Sequence, residues 1–199
     1  AAAQTAITSG VGAIVAGRWY HIVGTYDGTA MRLYVNGMLA SSAGLQSVLA
    51  PSPTIPFGVG FYGSTSYNGN WTGYVGDTVI YNKALSSQQV YTHWISSTYG
   101  ASMTFPASSG TITDPYGVQV AKDNPTEWLR LQDSAGATVA ADSSAATLSG
   151  TGYTKSALLP GAVNGAAPAA TSSPAVAGSY AYGFDGRGSN VSIPSATAI

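Results

Sequence analysis

The sequence lacks cysteine and carries little charge. None of its 199 residues is Cys, which excludes a disulfide framework, a thiolate metal site and a cysteine nucleophile. Charged residues make up 8% of the chain, against about 25% in typical domains. The net charge is −1, so the chain offers no basic surface to nucleic acid or to an anionic membrane. No apolar run reaches the roughly 18 residues of a membrane span. We therefore expect neither a nucleic acid partner nor membrane insertion.

The chain is rich instead in apolar residues and turn formers, with 45% hydrophobic residues, 25 Gly and 10 Pro. Between two turn signals, Asp27-Gly28 and Asn36-Gly37, apolar residues recur at every second position, at Met31, Leu33 and Val35. This period predicts a three-strand meander whose middle strand buries these side chains. Short strands and frequent glycine turns predict an all-β fold, either a sandwich or a jelly roll.

One helix is predicted. Ser86 and Gln89 have the spacing of a capping box, so a short helix is expected near residues 87–96. Residues 100–122 are rich in Ser, Thr, Gly and Pro, with a turn at Asp114-Pro115. They are expected to form a linker or an extended bridging segment.

Several motifs in the first hundred residues follow one another in a characteristic order. They are Trp19-Tyr20-His21-Ile22-Val23, Thr25-Tyr26-Asp27-Gly28, Arg32-Leu33-Tyr34-Val35-Asn36-Gly37, Gly73-Tyr74-Val75-Gly76-Asp77 and Ile80-Tyr81-Asn82-Lys83-Ala84-Leu85-Ser86. Together they resemble the closing half of laminin-G-like domains, in the concanavalin-A-like lectin and glucanase superfamily. The resemblance implies a concanavalin-A-like jelly-roll β-sandwich with one short helix.

Motifs in the last eighty residues resemble the opening half of another such domain. They are Asp123-Asn124-Pro125-Thr126-Glu127-Trp128-Leu129-Arg130-Leu131, Ala141-Asp142-Ser143-Ser144, Gly150-Thr151-Gly152-Tyr153, Phe184-Asp185-Gly186 and Val191-Ser192-Ile193-Pro194. The order is therefore reversed, with a closing half at residues 1–99, the linker at 100–122 and an opening half at 123–199. The aromatic-rich middle strands of the family have no counterpart here.

Three arrangements are compatible with this reversed order. The chain is a window cut from a tandem array, which we favour, or a circularly permuted single sandwich, or a pair of half-domains completed by a neighbouring chain. An isolated half-sandwich would expose apolar faces and strand edges. A window of this kind should self-associate or aggregate, whereas a permuted sandwich should be a cooperative monomer.

Catalytic residues are not expected. The glucanases of the resembled superfamily use two carboxylates across a cleft. Glu127 is the single Glu of this chain, and no Glu-x-Asp-x-Glu strand is present. Asp27, Asp133 and Asp185 stand in turn-forming contexts. We therefore expect that the protein is not an enzyme.

No cofactor is expected, with calcium as the alternative that the resemblance implies. Asp77 and Asp142 match acidic positions of the family pattern, whereas Gly76 stands where many relatives carry Asp. Calcium takes six to eight oxygen ligands, so two carboxylates supply only part of a site. The competing interpretation is that Asp142 caps its own turn and that Asp77 is a surface strand residue.

A polar loop tip at residues 64–70 is a candidate sugar-binding surface. Tyr62, Tyr67 and Asn70 are the candidate ligand-binding residues, because aromatic rings stack on sugar faces beside amide donors. Trp71 is expected to begin a core strand instead. The two histidines, His21 and His93, are expected to be structural, His21 bonded across the sheet and His93 solvated on the helix.

These observations favour a non-catalytic structural or display module of an extracellular multi-domain assembly. The opening motifs resemble repeats of bacteriophage virion proteins and of large bacterial surface proteins, so we expect an extracellular or virion-surface location. The alternative is a carbohydrate-binding, lectin-like module of a bacterial adhesin. The expected partners are a second copy, neighbouring domains of the same assembly, or a cell-surface glycan.

Overall fold

Short antiparallel strands and two helices make up the part of the chain that the computed structural model describes. That part comprises residues 7–10, 12–44, 57–60, 69–99, 114–131, 133, 137, 139–140, 142–144, 161–164, 167–169, 181–185 and 190–193. Its elements are β1 (Ile22–Tyr26), β2 (Ala30–Val35), β3 (Met38–Gly44), β4 (Phe57–Val59), β5 (Thr72–Val75), β6 (Thr78–Ile80), α1 (Ser87–Tyr99), α2 (Pro115–Lys122), β7 (Glu127–Leu129), β8 (Val139–Ala140), β9 (Gly161–Asn164), β10 (Ala167–Ala169), β11 (Ala181–Asp185) and β12 (Asn190–Ile193). Within these residues, no helix has the length and apolar character needed to span a membrane.

The first three strands form the predicted meander, in the order β1-β2-β3. Asn36 and Gly37 make a two-residue turn with φ of 50° and 77°, which confirms the second predicted hairpin. The first connection is longer than the two residues predicted. Asp27 Oδ1 accepts hydrogen bonds from the backbone N–H groups of Thr29 and Ala30, both at 2.9 Å, and these bonds spread the turn over more of the chain.

The buried side of β2 is not the predicted one. The expected face, which includes Leu33 and Val35, is only partly buried, whereas Tyr34 is 4% exposed. Tyr34 packs with Leu85 and with Val90 of α1. Because the helix covers this side of the sheet, the large Tyr34 ring is buried, and the alternation of apolar residues did not reveal which side the helix would take.

Helix α1 is confirmed and has the predicted cap. The Ser86 N–H donates to Gln89 Oε1 at 2.9 Å, and the Gln89 N–H donates to Ser86 Oγ at 3.2 Å. This reciprocal pair satisfies donors that the first turn of a helix leaves unbonded. The helix continues to Tyr99, beyond the end predicted near residue 96.

The expectation of a single helix is wrong, because α2 lies in the stretch predicted to be a linker or extended. Asp114 is its N-cap, and Asp114 Oδ1 accepts a hydrogen bond from the Gly117 N–H at 2.5 Å. Pro115 occupies the first turn, where its missing N–H costs nothing. The Asp114-Pro115 pair therefore starts a helix.

Strands of the C-terminal part pair with strands of the N-terminal part at three places. β4 pairs with β12, β5 with β11, and β6 with β7, all antiparallel. We call the contact between the described residues of 7–99 and those of 114–193 the seam. The described part is thus mostly β, and its sheets are built from strands distant in sequence.

The apolar core also crosses the seam. One cluster combines Val59 of β4 with residues of the C-terminal part, which are Leu129, Leu131, Ala140, Tyr182, Phe184 and Val191. A second cluster joins α2 and Trp128, with Val79 and Tyr81 packed against it. Burying side chains of this size contributes about 1.5–3 kcal/mol each, so both parts of the chain depend on the seam.

Candidate functional site

Trp128 is the centre of a buried polar group at the seam. Its side chain is fully buried beside β6. The indole Nε1–H donates to Asp77 Oδ1 at 2.8 Å, and the Trp128 backbone N–H donates to Asp142 Oδ1 at 3.1 Å. Two carboxylates from opposite sides of the seam therefore fix one tryptophan.

Arg130 lies next to that tryptophan, between the carboxylates of Asp77 and Asp114. Its guanidinium lies 4.9 Å from the Trp128 ring centroid, and Nη2 donates to Asp114 Oδ2 at 2.8 Å. Arg130 Nε is 3.7 Å from Asp77 Oδ1. Arg130 and Asp114 are both buried. The same Asp114 carboxylate therefore caps α2 and forms the ion pair with Arg130.

Burial sets the protonation of Asp77. It raises the pKa of the Asp77 carboxyl to about 6, against the opposing attraction of Arg130 and the Trp128 hydrogen bond. Asp114 lies close enough to add a smaller effect in the same direction. The carboxyl of Asp77 is therefore a group that takes up a proton in mildly acidic solution.

A second polar group at the seam surrounds Tyr116 of α2. The rings of His21 and His93 meet the Tyr116 ring edge to face, with centroids 6.4 and 6.3 Å away and interplanar angles of 86° and 82°. His93 Nε2 is 2.8 Å from Asp123 Oδ2, and Gln89 also donates to Asp123. Asp123 follows α2 directly, so these hydrogen bonds connect α1 to the end of α2.

The histidines are neutral at pH 7. Burial, reinforced by the nearby His93, lowers the pKa of His21 to about 4. Burial also lowers the pKa of His93, although its hydrogen bond to Asp123 opposes the shift. His93 is only 3% exposed, so the prediction of a solvated helix residue is wrong, because α2 covers that side of α1.

Exposed aromatic rings lie away from the seam groups. Tyr74 on β5 is 46% exposed, and its ring centroid is 6.5 Å from that of Trp19. Trp71 is 49% exposed and precedes β5, so the expectation that it begins a core strand is wrong. Asn70, the neighbouring candidate, is partly buried.

The predicted sugar-binding tyrosines and calcium ligands have different outcomes. Tyr62 and Tyr67 lie outside the described residues, so sugar binding there stays a prediction. Asp77 and Asp142 are brought to the same tryptophan. Asp142 also accepts bonds from the N–H and hydroxyl of Ser144, at 2.7 and 2.9 Å. In the described stretches, no three metal-ligating side chains gather, and calcium binding stays a prediction.

Sequence reasoning missed the residues that complete these groups, namely Asp114, Tyr116, Asp123 and Arg130. One signal was present: Arg130 is a charged residue between Leu129 and Leu131 in the first motif of the opening half. A charge in such a place is buried only if it is paired. Its partner could not be read from the sequence, because Asp114 was assigned to a turn.

Each of the two polar groups at the seam contains a residue of the N-terminal motifs, namely Asp77 in one and His21 in the other. These motifs can be compared with known families. Residues 1–91 match a laminin G family model. Its description is Concanavalin A-like lectin/glucanases superfamily. The match confirms the resemblance of the first part of the chain and covers Asp77 and His21, whereas Trp128 and Tyr116 lie beyond it. The resemblance of residues 123–199 stays a prediction. No curated protein and no solved structure matches the chain.

A laminin G segment of this kind is consistent with a lectin-like or structural module. In the described part, several acidic side chains make structural contacts: Asp27, Asp77, Asp114, Asp123, Asp133 and Asp142.

Proposed function

We propose that this protein is a non-catalytic structural or display module of an extracellular multi-domain assembly, of the type found in bacteriophage virion proteins. The observation that carries the proposal is the use of the carboxylates. Asp77, which is partly buried, and Asp114, which is buried, hold Trp128, Arg130 and the start of α2. A general acid and a nucleophile must instead reach a substrate in a cleft.

The pairing across the seam supports a more specific architecture. We infer that residues 1–99 and 123–199 are the closing and opening halves of one circularly permuted jelly-roll sandwich, connected through residues 100–122. β4, β5 and β6 obtain partners from the same chain. These three strands therefore need no partner strand from a neighbouring domain of the assembly.

Two measurements test the structural role. The purified chain, incubated with soluble polysaccharides, should release no reducing ends, and the Asp77→Asn chain should behave identically. Immunogold electron microscopy with an antibody against the chain should label the surface of virus particles. Polysaccharide cleavage that disappears in Asp77→Asn, or labelling confined to the cell interior, would contradict the proposal.

A second candidate function is carbohydrate binding, and the exposed aromatic rings favour it. Tyr74 and Trp19 form an uncharged aromatic surface, and Trp71 with Asn70 precedes the same strand. Aromatic faces of this type stack on neutral sugar rings. Tyr62 and Tyr67, which the sequence suggests as sugar-binding residues, are part of the same proposal.

Glycan-array binding tests this candidate directly. Tyr74→Ala and Tyr67→Ala should each weaken binding at least tenfold. Tyr91→Ala is the matched control, because Tyr91 is 39% exposed on α1 with its ring on Trp94, on another element. Equal binding by all three variants, or no binding by the unmodified chain, would exclude a sugar-binding role for these rings.

A further inference from the structure

The two histidines of the chain lie in one buried group, although 72 positions of sequence separate them. His21 precedes β1 and His93 lies on α1, yet both rings contact Tyr116 of α2. Tyr116 belongs to the C-terminal part and both histidines to the N-terminal part. Part of the contact between α2 and the N-terminal part is therefore made with two titratable bases.

The group contains more bases than neutralising partners. Asp123 is hydrogen-bonded to His93 and to Gln89. His21 Nδ1 is buried, with no hydrogen-bond partner among the described residues. If both rings were protonated, two positive charges would flank one tyrosine ring with a single carboxylate bonded to one of them. Burial of a charge without a partner is costly.

We propose that His21, His93, Tyr116 and Asp123 form an acid-sensitive latch that holds α2 and β7 against the N-terminal part at neutral pH and releases them in mild acid. Protonation favours the open arrangement, in which the histidines regain water and their ordinary pKa. The lowered pKa of His21 agrees with this direction. The bistable element is the seam at α2 and β6-β7.

Other titratable groups face the latch and must be included. They are Asp77 between β5 and β6, Tyr81 after β6, Asp114 before α2 and Arg130 after β7. Tyrosine and arginine do not titrate in mild acid. Asp77 does, and its protonation favours the closed seam, in opposition to the histidines. The test therefore compares variants at each pH and does not rely on pH alone.

Proton NMR of the intact chain tests the latch without a substitution. The spectrum contains the Cε1–H resonances of only two histidines, so each can be titrated separately. Both should titrate below the ordinary value of about 6.5, and one should titrate far below it. A histidine that titrates at or above the ordinary value would overturn the proposal.

Hydrogen exchange of backbone amides locates the opening. Amide exchange rates are first corrected for the intrinsic rate at each pH. The ratio of the rates in β6 and β7 to the rate in β2 should then rise from pH 7 to pH 5. We expect this rise to be about tenfold smaller in His21→Gln than in the unmodified chain. Asp27→Asn removes an exposed ion pair with Arg32 away from the seam and should leave the rise unchanged. Equal rises in the unmodified chain and in His21→Gln would overturn the proposal.

Discussion

At the scale of single residues, Asp77 shows how a position in a sequence pattern takes its meaning from distant partners. The sequence placed Asp77 on a strand and made it a candidate calcium ligand. In the structure it accepts the indole N–H of Trp128, 51 positions away, and lies beside Arg130. Its environment is therefore decided by residues that no local pattern connects to it.

Two substitutions of Asp77 should differ strongly. Asp77→Asn keeps an oxygen that can accept the Trp128 Nε1–H bond, and it removes a charge that burial disfavours. We expect its free energy of unfolding at pH 7 to lie within about 1 kcal/mol of that of the unmodified chain. Asp77→Ala leaves a buried N–H without its acceptor and should lose about 1–3 kcal/mol. Urea unfolding measures both, and equal losses would show that the hydrogen bond is not the important contact.

The same residue should govern the pH dependence of stability. The folded pKa of Asp77 is about 6, above its unfolded value of 3.8, so its protonation stabilises the fold as the pH falls through 6 towards 3.8. The folded pKa of His21 is about 4, below 6.5, so its contribution is present above pH 6.5 and is lost as the pH falls towards 4. The two effects oppose each other.

Removing one effect should therefore expose the other. The Asp77→Asn chain should lose about 1–2 kcal/mol more than the unmodified chain between pH 7 and pH 4.5. His21→Gln should lose less than the unmodified chain over the same range. Free energies of unfolding from urea titrations at both pH values test this prediction. The same change in free energy between the two pH values in all three chains would contradict the opposing contributions of Asp77 and His21.

At the scale of elements, local signals predicted what local interactions determine. The Asn36-Gly37 turn and the Ser86-Gln89 cap each involve residues within three positions of one another, and both are present. The buried side of β2 and the existence of α2 depend on packing across the seam. Tyr34 is buried because α1 covers it, and α2 is held because Asp114 binds Arg130.

The two helix caps offer a matched comparison. Ser86→Ala removes an exposed cap of α1 and should cost about 1 kcal/mol. Asp114→Ala removes the cap of α2 and also leaves Arg130 buried without its closest carboxylate, so it should cost about 3 kcal/mol or more. Thermal unfolding of both variants at pH 7 provides the test. Equal costs would mean that the Asp114–Arg130 pair adds nothing to the cap.

At the scale of the whole molecule, the two halves recognised in the sequence are joined by strand pairing and by buried polar groups. The sequence motifs predict two half-domains, but they leave the relation between them open. Pairing between positions such as 79 and 128 leaves no trace in a single sequence. The strands β4, β5 and β6 obtain their partners within the chain, as the proposed circularly permuted arrangement requires.

Disulfide trapping across the seam is the decisive test of whether the N-terminal and C-terminal parts of one chain pair with each other. The chain has no cysteine, so Tyr74→Cys with Gly183→Cys, a directly paired position of β5 and β11, introduces only two thiols. Mild oxidation should give a monomer of 20.1 kDa with an intramolecular disulfide, seen by mass spectrometry under non-reducing conditions. Free thiols after oxidation would contradict the pairing, and a disulfide-linked dimer would show that the halves are completed by a second chain.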